Sequence, residues 1–204
     1  MMVGTNRDFD NIAHLIQPDT VGAEIGVWMA RSSKRMLEIG IKELHLVDSW
    51  SVEPYKVSGE HGGYDKYIER YTKLVGGNSE ADFKNYYEKV FRLVQDTVGK
   101  DPRTVIHRMS SKDWFDNFDE NFEEKLDWIY VDGDHTHKGC LNDLNRALDV
   151  VKPGGLILGD DYVWEKKEGT YSGKPEVTLA VDEFCSTHNL EKTRYGNVQF
   201  AIKL

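Results

Sequence analysis

Short apolar runs rich in Val, Ile and Leu recur along the chain, and longer segments with helical periodicity lie between them. Residues 23–27, 44–48, 104–107, 128–131 and 155–159 read as five strands, four of them ending at or beside a glycine or an acid. Between them, residues 31–39 carry helix formers and stop at Gly40, the expected C-terminal signal. Residues 140–151 place Leu141, Leu144, Leu148 and Val151 on one helical face before Pro153, and residues 177–185 repeat the pattern with Leu179, Val181 and Phe184. Continuous apolar strands alternating with amphipathic helices predict a parallel sheet covered on both faces. Near the end, residues 191–195 and 198–203 flank Gly196-Asn197, which predicts an antiparallel hairpin. The expected architecture is an α/β fold with a mixed seven-stranded sheet.

The segment 49–100 departs from this rhythm. It is polar, and it is rich in tyrosine. Tyr64, Tyr67, Ile68 and Tyr71 share helical spacing, as do Phe83, Tyr86, Tyr87, Val90, Phe91 and Val94. Two amphipathic helices packing aromatic faces on the sheet are expected, in preference to a substrate lid. The glycine-containing stretches 58–63 and 76–79 are the places where the chain could close over a pocket. The whole, 1–204, reads as one domain with a helical insert at about 50–100.

Composition narrows the class. With 39% hydrophobic residues in 204, a sizeable core can form. No apolar run approaches the ~18 residues of a membrane span, and the N-terminus lacks an apolar signal region. Twenty-six basic against 35 acidic residues give a net charge of −9, which argues against nucleic acid as the main partner. Two cysteines, Cys140 and Cys185, are too few for a disulfide framework. A cytoplasmic protein acting on a small molecule is the expectation.

In a parallel α/β sheet, ligands bind beyond the carboxyl ends of the strands. There the first strand carries Glu24 and then Gly26, where a missing Cβ would let a ligand approach backbone. Ser32 and Ser33 at the following helix start suit an anionic group. There is no GxGxxG, so a dinucleotide fingerprint is absent. Asp48 ends the second strand, where an acid can accept from both ribose hydroxyls of a nucleoside. Ser110 and Ser111 follow the third strand, and they suit either an adenine edge or a helix cap before Asp113.

Asp132 ends the fourth strand, and Asp160 with Asp161 ends the fifth. Three carboxylates in one crevice demand protons or a cation, and an all-oxygen set suits Mg²⁺ or another hard divalent ion. His135, His137 and Cys140 invite a zinc reading. No second cluster completes a tetrahedron, so His135 reads instead as a base or as an orienter of the metal site.

These pieces resemble the class I S-adenosylmethionine-dependent methyltransferases, which have a Rossmann-like fold. Among them the likeness is greatest to the small metal-dependent O-methyltransferases of the macrocin-type sugar and catechol-type branches. The matching residues are Glu24-Ile25-Gly26 to Ser32, Val47-Asp48, Asp132-Gly133-Asp134-His135, Lys152-Pro153-Gly154-Gly155 and Gly159-Asp160-Asp161-Tyr162. The resemblance implies S-adenosylmethionine as cofactor, with Gly26 and Ser32 at its methionine end, Glu24 at its amino group through a short network, and Asp48 at the ribose. Trp28 and Ala30 stand where many methyltransferases have glycine; Trp28, Ser110, Ser111 and Asp132 complete the expected cofactor set. Asp132, Asp160 and Asp161 would hold Mg²⁺ or another divalent cation. Two adjacent substrate hydroxyls would chelate it, and Asp134, ranked slightly ahead of His135, would accept the proton. With only about 20 residues before the first strand, the acceptor pocket is expected either to be more open or to be completed by a neighbouring subunit of a homo-oligomer. The rivals are a metal-independent N- or carboxyl-methyltransferase and a non-catalytic nucleoside-binding domain.

Overall fold

The computed structural model describes residues 9–118, 124–164 and 173–204. Seven strands form one sheet: β1 (Val21–Ile25), β2 (Glu43–Asp48), β3 (Thr104–Arg108), β4 (Leu126–Val131), β5 (Val151–Gly159), β6 (Lys192–Tyr195) and β7 (Gln199–Lys203). Their order is β3-β2-β1-β4-β5-β7-β6. β1 to β5 run parallel, and β7 is antiparallel to both β5 and β6. The helices are α1 (Arg31–Glu38), α2 (Tyr64–Val75), α3 (Glu80–Asp96), α4 (Ser111–Asp116), α5 (His137–Val150) and α6 (Pro175–His188).

Side chains alternate across the strands, and both faces are apolar because both are covered. Ala23, Ile25, Ile129, Val131, Ile157 and Ile202 pack under α4, α5 and α6, against Trp114, Leu144, Ala147, Val181 and Phe184. Leu44, Leu46, Trp128, Tyr130, Leu158 and Ala201 face the other way, toward Met36 and Leu37 of α1, Val90 and Val94 of α3, and Phe9 and Ile12 of the N-terminal 3-10 turns. Among the described residues no helix is long and apolar enough to cross a membrane.

Several boundaries differ from the sequence expectation, three of them for a visible local reason. β1 stops at Ile25, two residues early, because Gly26 turns the chain at φ +85°. α5 begins at His137, three residues early, because Thr136 caps it by accepting the Gly139 N–H at 3.1 Å. Lys152-Pro153-Gly154-Gly155 lies inside β5 and not before it, and the irregularity falls where the register with β4 shifts between Leu126 and Trp128.

The insert also differs. α3 reaches the sheet through Val90 and Val94. α2 instead packs on α3 and the adjoining turns, and Val52, Tyr67, Phe83 and Tyr87 form a separate small core with Tyr55, Ile68 and Tyr71 against it. The aromatic stripe of α2 is spent on other aromatics of the insert.

Candidate active site

The strand order reverses direction between β1 and β4, the place where an open α/β sheet offers a crevice. Gly26 lies there, and its missing Cβ is required by the chain itself. A Cβ on Gly26 would stand 2.1 Å from the Asp132 carbonyl oxygen. The glycine lets the loops after β1 and β4 touch each other, with Asp132 N–H donating to the Ile25 carbonyl at 2.8 Å.

Trp28 and Ala30 sit at φ 46° and 57°, left-handed conformations that glycine adopts without steric cost. Asp48 holds this turn in place. Its Oδ2 accepts from the N–H groups of Val27 (3.0 Å) and Trp28 (2.8 Å), and its Oδ1 accepts from Trp50 N–H at 2.6 Å. Burial raises its pKa, against those three backbone donors. A carboxylate has about four acceptor positions, so one remains on Oδ1. That position is open to a ribose hydroxyl. The Trp28 carbonyl accepts from Trp50 Nε1 at 2.9 Å, and the Trp28 ring stays exposed beside the Arg31 guanidinium.

Glu24 is fully buried within β1, and the Ser32 and Ser33 hydroxyls of α1 each donate to one of its carboxylate oxygens. Burial lifts its pKa to about 8, opposed by the two serines and reinforced by Asp132 and Asp48. Ser32 donates its hydroxyl proton to the glutamate and keeps its acceptor positions.

Ser110 takes the capping role: its Oγ accepts the Asp113 N–H at 3.1 Å and donates to the Asp113 carboxylate at 2.7 Å. Ser111 donates to Asp143 Oδ1 at 2.8 Å. Asp143, on α5, is buried; burial lifts its pKa to about 7, opposed by hydrogen bonds from Ser111 and Asn142. Both serine hydroxyls donate to acids within the chain.

The acids at the ends of β4 and β5 converge only in part. Asp132 and Asp161 face each other across His135, whose Nε2 lies 3.2 Å from Asp132 Oδ1 and 3.1 Å from Asp161 Oδ2. Among the described residues these three form a group able to hold a metal ion, one donor atom from each lying within 4.8 Å of the others. Asp160 does not belong to it. Asp161 has φ 64°, which turns the chain after β5 and parts the two adjacent side chains. Asp160 accepts from the Tyr130 hydroxyl at 3.2 Å and from Asp161 N–H at 2.8 Å; burial, and then the Asp132 charge, raise its pKa to about 7. Burial opposes ionisation of Asp161 too, yet His135 and Lys174 outweigh it and hold the acid below its usual value. Burial likewise disfavours a charged His135, but Asp132, Asp161 and Glu60 together raise its pKa well above the ordinary value. The local counter-charge that the carboxylates require is therefore within the chain.

Asp134 points elsewhere. Its Oδ1 accepts Thr136 N–H at 2.8 Å, and its carboxyl packs where a Cβ on Gly139 would stand. Its contacts are with the start of α5. Two residues at the cluster escaped the sequence reading. Glu60, from the insert, accepts from His135 Nδ1 at 2.9 Å, and Lys174 lends positive charge to Asp132 and Asp161. Glu60 is 75 positions from His135 in sequence, and no spacing rule joins them. A groove of about 400 Å³ lined by Ser49, Trp50, Lys84, Glu88 and Arg108 opens just beyond the end of β2.

The methyltransferase-domain family profile matches residues 20–162, from the residue before β1 to the tyrosine after Asp161. The chain belongs to this family. An uncharacterized protein of Acanthamoeba polyphaga mimivirus is 21% identical over 195 residues, covering 95% of this chain and 71% of that protein. The Bacillus cereus O-methyltransferase solved with S-adenosylhomocysteine shares the fold at TM-score 0.55 and 13% identity, over 100% of this chain and 84% of its own. The O-methyltransferase TomG of Streptomyces achromogenes, solved with S-adenosylmethionine, gives 0.53 and 12%, over 98% and 82%. Fibrillarin of Aeropyrum pernix, also with S-adenosylmethionine, gives 0.57 and 9%, over 91% and 67%. The chain is a methyltransferase-family protein with the Rossmann-like fold that these S-adenosylmethionine- and S-adenosylhomocysteine-bound structures share. The fold is common to acceptors of several kinds, so the acceptor must be argued from the site.

Proposed function

We propose that this methyltransferase methylates a hydroxyl of a small molecule bearing two adjacent hydroxyls, of sugar or catechol type, with a divalent cation held by Asp132 and Asp161. The observation that carries this is the convergence of two carboxylates and His135 at the mouth of the β1–β4 crevice. Two carboxylates are what Mg²⁺ ordinarily takes from a protein, leaving positions for water and substrate. The imidazole nitrogen extends the fit to Mn²⁺.

The sulfonium cofactor supplies an electrophilic methyl group, and a bound divalent ion lowers the pKa of a chelated hydroxyl. The chain's own residues must orient that oxygen in line with the methyl carbon and remove its proton. The Asp48-braced turn forms one wall of the cofactor crevice, backed by the fully buried Glu24 and Ser33. His135 faces the cluster while Asp134 bonds Thr136 N–H at the start of α5, so His135 is the proton acceptor that the geometry favours; its lone pair is freed once a bound cation takes over the counter-charge of Asp132 and Asp161. We assign the acceptor to a small molecule because the acidic surface repels nucleic acid.

Turnover on a panel of vicinal diols and catechols is expected to stop in a strong chelator and return with Mg²⁺ or Mn²⁺. His135→Ala should lower it steeply but measurably, and Asp134→Asn should retain most of it. Full activity after thorough metal removal would favour a second reading, supported by the bridging position of His135: a metal-independent transferase in which that residue alone neutralises Asp132 and Asp161.

A further inference from the structure

Glu60 sits on a short 3-10 turn, residues 60–62, where Gly59, His61, Gly62 and Gly63 all adopt positive φ (72°, 59°, 85° and 102°). Such a turn does not arise from ordinary loop sampling; it needs three glycines in five residues and still places a histidine in the left-handed region. Its effect is to aim one carboxylate inward. The Glu60 side chain is only 11% exposed; its Oε1 accepts from His135 Nδ1 at 2.9 Å and lies 3.2 Å from His61 Nε2.

His61 in turn belongs to the aromatic stack of the insert. Its ring lies over Tyr55 and Tyr67 at centroid distances of 6.0 and 5.5 Å and meets Tyr71 edge-on at 5.2 Å, while Tyr55 and Tyr67 stack at 3.8 Å. The Tyr67 and Tyr87 hydroxyls are hydrogen-bonded to each other beneath them. Contact runs without a break from the small core of the insert, through His61 and Glu60, to the imidazole between Asp132 and Asp161.

We propose that Glu60 is the positioning residue for His135, brought to the active site by the aromatic insert. The inference rests on the reading of His135 as proton acceptor given above. An imidazole tethered at Nδ1 has a fixed plane, and a proton shared with Glu60 there assigns the lone pair of the neutral ring to Nε2. Nε2 is the atom that faces Asp132 and Asp161, where the reacting hydroxyl must lie. Glu60 touches neither cofactor nor acceptor in this scheme. It selects which nitrogen of His135 meets the hydroxyl, and it makes that selection depend on the insert being folded against the site.

Two measurements on full-length protein test this. Long-range ¹H–¹⁵N correlation of the His135 ring, recorded without substrate, should show nitrogen shifts that move in Glu60→Ala and move less in Glu60→Gln, whose amide oxygen can still accept. Steady-state kinetics should show kcat lowered about 10- to 100-fold in Glu60→Ala, with affinity for S-adenosylhomocysteine unchanged and partial recovery in Glu60→Gln. In a His135→Ala background, Glu60→Ala should cost nothing further. Unaltered His135 ring shifts, wild-type kcat in Glu60→Ala, or losses that add to those of His135→Ala would each overturn the assignment. If no diol is methylated, the proposed acceptor class fails, and the ring shifts alone still decide whether Glu60 orients His135.

Discussion

A single missing methyl group at Gly26 holds the two loops of the crevice together. With φ at +85° and the Asp132 carbonyl 2.1 Å from the place of a Cβ, alanine there is strained in its backbone and collides with backbone besides. Gly26→Ala should lower stability by roughly 2–3 kcal/mol, read from denaturant midpoints, and should weaken S-adenosylhomocysteine binding with it; a neutral substitution would mean the loops separate easily. Asp143 gives a pH signature. Its carboxyl, at about 7 in the folded chain against an ordinary 3.8, keeps a proton that the unfolded chain has released over that interval. The folded state therefore binds more protons there, so this contribution to stability is intact below about pH 4 and is lost as pH rises through about 7. Asp143→Asn, isosteric and uncharged, should flatten the fall in stability between pH 4 and 7 in urea titrations at stepped pH. An unchanged slope would show that Asp143 ionises in the folded chain as it does in water.

Among the elements, the central strands and helices were legible because burial on both faces writes itself as apolar runs and helical stripes. The partner of each stripe was not. Tyr64, Tyr67 and Tyr71 announce an amphipathic helix but carry no mark of whether a sheet or another helix receives it, and α2 in fact meets the insert's own aromatics. The acids after β4 and β5 were visible as residue types at strand ends, yet adjacency in sequence hid the divergence of Asp160 from Asp161, which the φ of 64° at Asp161 decides. Glu60 was hidden by distance along the chain and is seen only once the insert folds back. Because the insert has a separate small core, it should also loosen separately. Phe83, fully buried among Val52, Tyr67 and Tyr87, is the test. Phe83→Ala should remove about 3–5 kcal/mol of packing, with faster amide exchange concentrated in α2 and the 53–63 turns, while β1, β2 and β4 keep their protection. Uniform loss of protection across the sheet would show that insert and sheet unfold as one unit.

At the scale of the molecule, the crevice divides the sheet into two halves that the cofactor must bridge. Asp48 braces the β1 turn from the β2 side, and Asp132 closes it from the β4 side. A ligand that contacts both halves stabilises the folded chain by mass action, by about 2.7 kcal/mol at a hundredfold excess over its Kd. For a chain of this length that corresponds to a rise in Tm of roughly 5–10 °C. S-adenosylhomocysteine should produce this rise in thermal scans. Asp48→Ala removes the acceptor of three backbone N–H groups, so it should lower the Tm of the free protein and also shrink the ligand-induced rise. Asp161→Asn lies on the acceptor side, and should leave the response to S-adenosylhomocysteine intact while removing any added stabilisation by Mg²⁺. The two substitutions thus separate the nucleoside side of the crevice from the side where the hydroxyl is activated. Equal responses of both variants to both ligands would mean that the carboxylates at the ends of β2 and β5 do not serve distinct ligands, and the division of labour along the sheet would have to be redrawn.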